Sequence, residues 1–191
     1  MASKRQKTPQ TDKRASVLDA ALRLAARRDW VNVRLADIAK EAGVSLGALA
    51  EMFDSKEDIV GAYQARVDRD VLESFSSSGA ERDQIFDILM ERFDRLNADR
   101  AAVVSMLSNK DPKQIVTSLP HVARSMAWML EACGIDTDGP RGALRVAGLA
   151  GIYIWTLRTW RDDESADMAK TMATLDKLLG RAESIAATIG L

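Results

Sequence analysis

Residues 37–53, DIAKEAGVSLGALAEMF, constrain what this chain can fold into more than any other stretch. A short helix must reverse at Gly43, because glycine enters a left-handed conformation at little cost. Ser45 then stands where it caps the next helix by accepting a backbone N–H bond. Ala39 is small enough for a second helix to cross it, and Val44, Leu49 and Phe53 supply an apolar wedge between the two. Gly47 gives close backbone approach. The pattern predicts a helix-turn-helix corner, for which duplex DNA is the leading partner.

Elsewhere apolar residues recur at three- and four-residue steps with no convincing alternating strand, so the predicted fold class is all-α, with about nine helices. Helices are expected at 11–28, 35–42 and 46–52, and a fourth, opened by Ser55 with Asp58 as a capping box, runs to about Phe75. The Ser76–Gly79 run is the clearest break. Beyond it the spacing gives helices at 81–97 and about 101–107; Pro112 opens the next, and Pro120 starts or kinks the helix that stops near Gly134. Two more follow at about 141–162 and 165–189. The first of these is apolar nearly all round and must be covered on two sides. The second carries one stripe, Met168, Met172, Leu175, Leu179, Ala182, Ala186 and Ile189. Paired across a two-fold axis, the two helices form a four-helix bundle and so a candidate homodimer interface.

The expected organisation is a basic disordered arm at 1–10, a helix-turn-helix domain at 11–58 and a helical body at 59–191. A chain of 191 residues, 47% apolar, buries a real core. Its net charge of −1 hides an asymmetry: residues 1–28 sum to +6 and the remainder to −7. Cations gathered at one end suit phosphate contact. Cys133 is the only cysteine, which excludes an intrachain disulfide and fits a reducing cytoplasm. The first residues lack the apolar core of a secretory signal. The most apolar helix, Val146–Leu157, is about half the ~20 residues a bilayer crossing needs, so no membrane insertion is expected.

The 37–53 stretch resembles the DNA-binding domain of the tetracycline-repressor (TetR) family. The likeness is carried by AGVS at 42–45, SKE at 55–57 and RASVLDAALRLAARR at 14–28, about the first third of the chain. It implies a three-helix DNA-binding domain joined by a long fourth helix to a carboxy-terminal domain for ligand binding and dimerisation. Where that family commonly has Thr, Tyr and His, this chain has Ala48, Ala50 and Met52, and Glu51 adds a negative charge. Arg34 stands where a Thr usually caps the second helix, so the cap is lost or shifts to Asn32.

The DNA-facing assignment is Ser45, Leu46, Ala48 and Met52 against base edges, with Arg34, Lys56, Lys13 and Arg14 on phosphates. In the body, bulky and flexible side chains mark a pocket for an apolar or aromatic effector, with Phe93, Met106, Met126, Trp128, Met129, Tyr153 and Trp155 as candidate lining. The expected function is a regulator, a repressor in this reading, that binds a pseudo-palindromic operator as a homodimer and is released by its effector. The competing reading is a small-molecule or lipid-binding protein of the same fold without specific DNA binding. No catalytic constellation, cofactor loop or metal set is expected: His121 is the only histidine, and Asp162, Asp163 and Glu164 read as surface charge complementing a helix start.

Overall fold

The three- and four-residue apolar steps wind most of the chain into α-helix, and among the described residues there is no strand. The computed structural model of the protein describes residues 10–76, 78–108 and 112–189. Its helices are α1 Gln10–Arg27, α2 Leu35–Glu41, α3 Leu46–Ala50, α4 Lys56–Ser74, α5 Glu81–Ala98, α6 Arg100–Leu107, α7 Pro112–Ala132, α8 Gly139–Asp162 and α9 Ala169–Ile189, with a 3-10 turn at Trp30–Asn32. The architecture is the all-α one expected. Residues 1–9 of the expected arm, and Ser77 of the expected break, lie outside the described residues.

Three local features depart from the sequence expectation. Ser55 Oγ accepts from the Asp58 N–H at 3.1 Å, but the Asp58 carboxylate accepts from Asp54 N, so only half of the capping box forms at α4. Pro120 does not start a helix but lies inside α7, which begins at Pro112. Helix α9 starts at Ala169 rather than 165, because Asp163 is a buried cap and not surface charge. Its carboxylate, in a residue 1% exposed, accepts from Ser165 N and Oγ and from Thr171 N and Oγ1. Burial pushes that carboxyl up, yet the Ser165 and Thr171 donors outweigh it and hold it below the usual carboxylate range.

The helices divide into two compact units. The first comprises Met1–Tyr63 and Asp99–Val116, and so contains α1, α2, α3, the beginning of α4 and all of α6. Its core is Val17, Ala21, Trp30, Ile38, Leu49, Phe53 and Ile59, joined by Ala102, Val103 and Met106 from α6. Where an unbroken body from 59 onward is expected, Asp99–Val116 instead belongs with the first unit. The reason is visible in α6: its buried side chains pack on α1 and the Trp30 turn. Ser105 Oγ accepts from Trp30 N at 3.0 Å and donates to the Arg28 carbonyl at 3.2 Å, and Tyr63 donates to the Asp99 carboxylate at 3.1 Å.

The second unit is Gln64–Ala98 with Thr117–Leu191. Val67, Val71, Ile88, Leu89, Phe93, Leu96, Met126, Met129, Tyr153, Trp160, Leu175 and Leu179 are buried in it. The stripe on α9 is directed inward here: Leu175 and Leu179 are buried and α9 packs on α5 and α8 of its own chain. On α8, Leu144, Ala147, Gly148, Gly151 and Trp155 are exposed, as are Ile185 on α9 and Leu119 and Trp128 on α7. A two-fold bundle therefore has the open face of α8, rather than the α9 stripe, to cover.

Candidate nucleic-acid interface

The corner between α2 and α3 forms as its residue types dictate. Gly43 takes φ +69, its N–H bonds the Lys40 carbonyl at 3.2 Å, and Val44 N reaches the Ala39 carbonyl at 3.0 Å. These two bonds make a Schellman stop for α2. Ser45 Oγ accepts from Ala48 N at 3.1 Å and caps α3. Ala39, Leu49 and Phe53 are buried between the helices, as a crossing over a small residue requires.

At the start of α2 the side-chain N-cap is lost, the first of the two expected outcomes. A guanidinium has no acceptor, so Arg34 cannot cap through its side chain. Asp37, in the first turn, instead accepts from Arg34 N at 3.1 Å and from the Arg34 guanidinium, and pairs with Arg28 at 3.0 Å. The side-chain and backbone hydrogen bonds from Arg34, with the Arg28 charge beyond them, hold the Asp37 carboxyl down near 2.

Around α3, Ser45 and Leu46 are exposed, Leu46 by 52%, and so are Gly47, Ala50 and Glu51. Ala48 and Met52 are half-buried on the flank of this face. Arg14 is tied to the end of α3: it donates to the Met52 carbonyl at 2.8 Å and lies over the Phe53 ring at 4.2 Å. The Lys56 ammonium donates to the carbonyls of Trp30 and Val33 at 2.7 and 2.8 Å and sits 4.8 Å from the Trp30 ring centre. Burial lowers its pKa. Of the four cations expected on phosphates, Arg34 has the most open side chain among those with a measured ion pair, 79% exposed, and Lys13 is half-buried. The sequence pattern does not reveal that Arg14 and Lys56 fasten backbone segments, because their carbonyl partners lie 38, 26 and 23 residues away.

In the second unit, Phe93, Met126, Met129 and Tyr153 are buried; Phe93 stacks on Tyr153 at 5.5 Å and meets Trp160 at 6.4 Å. The other expected lining residues are elsewhere. Met106 is buried in the first unit, while Trp128 and Trp155 are 55% and 59% exposed. Helical spacing places a residue on a stripe without saying which unit or side that stripe faces, and these three positions show it. Trp155 borders instead a surface groove of about 600 Å³ with Ala173, Thr174, Lys177, Leu178 and Arg181.

A buried polar cluster beside the aromatic residues is absent from the sequence reading. Arg92, 1% exposed, donates to Asp68 at 3.0 Å, to Gln64 at 2.5 Å and to the Tyr153 hydroxyl, and Ser125 donates to the other Asp68 oxygen at 2.5 Å. Its guanidinium also lies over the Tyr153 ring at 4.6 Å. Burial opposes the charge, but Tyr153 and Asp68 outweigh it and keep Arg92 ionised, while burial pushes the Tyr153 phenol up. The signal was present: Arg92 follows Leu89 by three and precedes Leu96 by four, within the apolar stripe of α5.

Among the described residues no three His, Cys, Asp or Glu are grouped as a metal ion needs, and no helix is long and apolar enough to cross a membrane. Cys133 is buried, and burial together with Asp87 and Glu81 pushes its thiol up to about 11.

A helix-turn-helix corner with an outward second helix, in an all-helical chain with a separate helical unit, is the architecture of the helix-turn-helix class. Residues 17–63 match the sequence profile of bacterial regulatory proteins of the tetR family. The HTH-type transcriptional regulator AlkX of Mycobacterium tuberculosis is 31% identical over 128 residues, 62% of this chain. The aligned part spans 61% of the length of that curated relative. A TetR transcriptional regulator from Nitrosomonas europaea superposes with a TM-score of 0.70 at 27% identity, over 89% of this chain and 97% of that one. FadR of Thermus thermophilus, a TetR-family repressor in complex with lauroyl-CoA, shares the fold at a TM-score of 0.59 and 19% identity, over 87% and 91% of the two chains.

Proposed function

We propose that this regulator is a repressor that binds a pseudo-palindromic operator as a homodimer and is released by an apolar small-molecule effector. The observation that carries the proposal is the capped, outward α3 on its Schellman corner, the arrangement that lets a helix enter a major groove. Ser45, Leu46, Ala48 and Met52 belong to base-edge contact, with Ala48 and Met52 on the flank. Arg34 and Lys13 provide phosphate contact, and Arg14 and Lys56 act on phosphates from positions fixed by the carbonyls they bond. The first unit is the reading head, and the second holds effector and partner. Dimerisation is assigned to α8 and α9: Leu144, Trp155 and Ile185 form an apolar exposure that a second copy covers, doubling the head at groove spacing, about 34–36 Å.

The effector site is assigned to the aromatic and Met cluster of the second unit, Phe93, Met126, Met129 and Tyr153, with Arg92 for an anionic end. That the related fold of Thermus thermophilus FadR holds lauroyl-CoA supports an acyl-like occupant. Both α4 and α7 have residues in both units, and α4 is taken as the coupling element. An effector that prefers one body conformation lowers DNA affinity, and DNA lowers effector affinity by the same factor.

The test is anisotropy titration of the purified protein on the duplex upstream of its own reading frame and on a scrambled duplex, across a salt series, with light scattering to count subunits. Preferential binding with a negative log–log salt slope by a dimer is expected. A monomer removes the two-fold docking. A second reading, a lipid-binding protein of this fold that does not read DNA, draws on one observation: the outward face of α3 carries few hydrogen-bonding side chains. Stoichiometric lipid binding with indifference to every duplex is its outcome.

A further inference from the structure

We infer that the operator half-site is read mainly through thymine methyl groups, with Leu46 and Ala50 making the contact across Gly47; the inference rests on the DNA-binding reading above. Each step along a helix turns about 100°, so burial of Leu49 and Phe53 turns Gly47, Ala50 and Glu51 outward, while Leu46 is exposed as the first residue of α3, and all four are exposed. A half-exposed leucine at the start of α3 is apolar area with no partner in its own unit. A Cβ built on Gly47 meets nothing within 4 Å, so this side of the helix is open, and the missing side chain lets the backbone approach a groove floor.

The chemistry of the face then selects among base edges. In the major groove guanine offers two acceptors, adenine and cytosine offer an amino donor, and thymine alone offers a methyl group beside its acceptor. Leu46, Gly47 and Ala50 have no side-chain donor. Ser45 Oγ already accepts from Ala48 N as the helix cap, which fixes its rotamer and leaves a single O–H. Glu51, as a carboxylate, only accepts. No bidentate partner for guanine O6 and N7 exists on this face. The complement of an apolar pair of short reach is the thymine methyl, and Glu51 beside it tolerates an amino group and disfavours bare acceptors.

The experiment uses the full chain and a random-sequence duplex library carried through selection. The winning duplex is then titrated against versions in which single thymines are replaced by deoxyuridine, which removes the methyl and leaves pairing intact. Expected are T·A pairs enriched in both half-sites and a loss of about four-fold at each contacted thymine, the factor for burying one CH₂-sized group. The salt slope of each substituted duplex should be unchanged, since no phosphate contact is altered. In L46A one position should stop distinguishing thymine from deoxyuridine. If selection enriches a half-site whose deoxyuridine versions bind as tightly as the parent, the methyl readout is wrong and DNA binding stands. If nothing is enriched, the inference falls together with the reading it rests on.

Discussion

Lys56 holds two main-chain carbonyls, that of Trp30, which also accepts from Val33 N, and that of Val33. Removing the ammonium takes a donor from both part-buried acceptors, so Lys56→Ala should destabilise the protein by about 1–3 kcal/mol in urea unfolding. Unchanged stability with a flatter salt slope would return Lys56 to a purely phosphate-facing role. Asp37 carries a pH signature. Its folded pKa, near 2, lies below the ordinary aspartate value, so its contribution to stability is complete above about pH 4 and is lost as pH falls toward 2. Melting temperatures of Asp37→Asn should therefore start lower and decline less through that window than those of the parent. Glu51 places an exposed carboxylate at the end of α3, and on the proposed DNA-binding reading it repels phosphates. Glu51→Ala should bind an unrelated duplex roughly five-fold more tightly, about 1 kcal/mol, with poorer discrimination, measured as the ratio of two anisotropy constants.

At the scale of the element, the helix-turn-helix was legible because its constraints are local: Gly43, Ser45 and Ala39 act within a few residues of themselves. The extent of α1, α2, α5 and α8 followed from spacing to within one or two residues. What local reasoning could not see is where an element docks. Nothing in α6 announces that it joins α1, and nothing in the apolar spacing of α7 and α8 says that Trp128 and Trp155 face out. The corner at Asp163 was hidden for a related reason, since its Thr171 partner is eight residues away in the next helix. Glycines on α8 separate internal packing from association. A Cβ on Gly142 would fall 2.0 Å from the Thr137 carbonyl carbon, so Gly142→Ala should cost at least ~1–3 kcal/mol. A Cβ on Gly148 or Gly151 meets nothing within 4 Å in the chain. Gly151→Ala should then stabilise the isolated subunit by roughly 0.5–1 kcal/mol, while a bulky Gly151→Leu should lower the dimer fraction seen by light scattering.

For the whole molecule, the second unit is organised around an ion pair that water does not reach. Arg92→Met leaves the buried Asp68 carboxylate with Ser125 as donor and no cation beside it among the described residues, and a loss of about 3–5 kcal/mol is expected in thermal or urea unfolding. Replacing Asp68 as well should recover much of that loss, because the isolated charge and not the missing bond is the main cost.

The segment Asp99–Val116 has a further consequence. Because it belongs with Met1–Tyr63 although thirty-five residues of the other unit intervene, the reading head is not one uninterrupted stretch of polypeptide. A gene fusion that splices another regulator on after Tyr63 inherits α1 to α3 without α6, whose Val103 and Met106 are buried in the same unit. Such heads cannot be shuffled between proteins by a single crossover. Exchange that keeps the head whole requires three breakpoints, one near Tyr63 and two flanking Asp99–Val116.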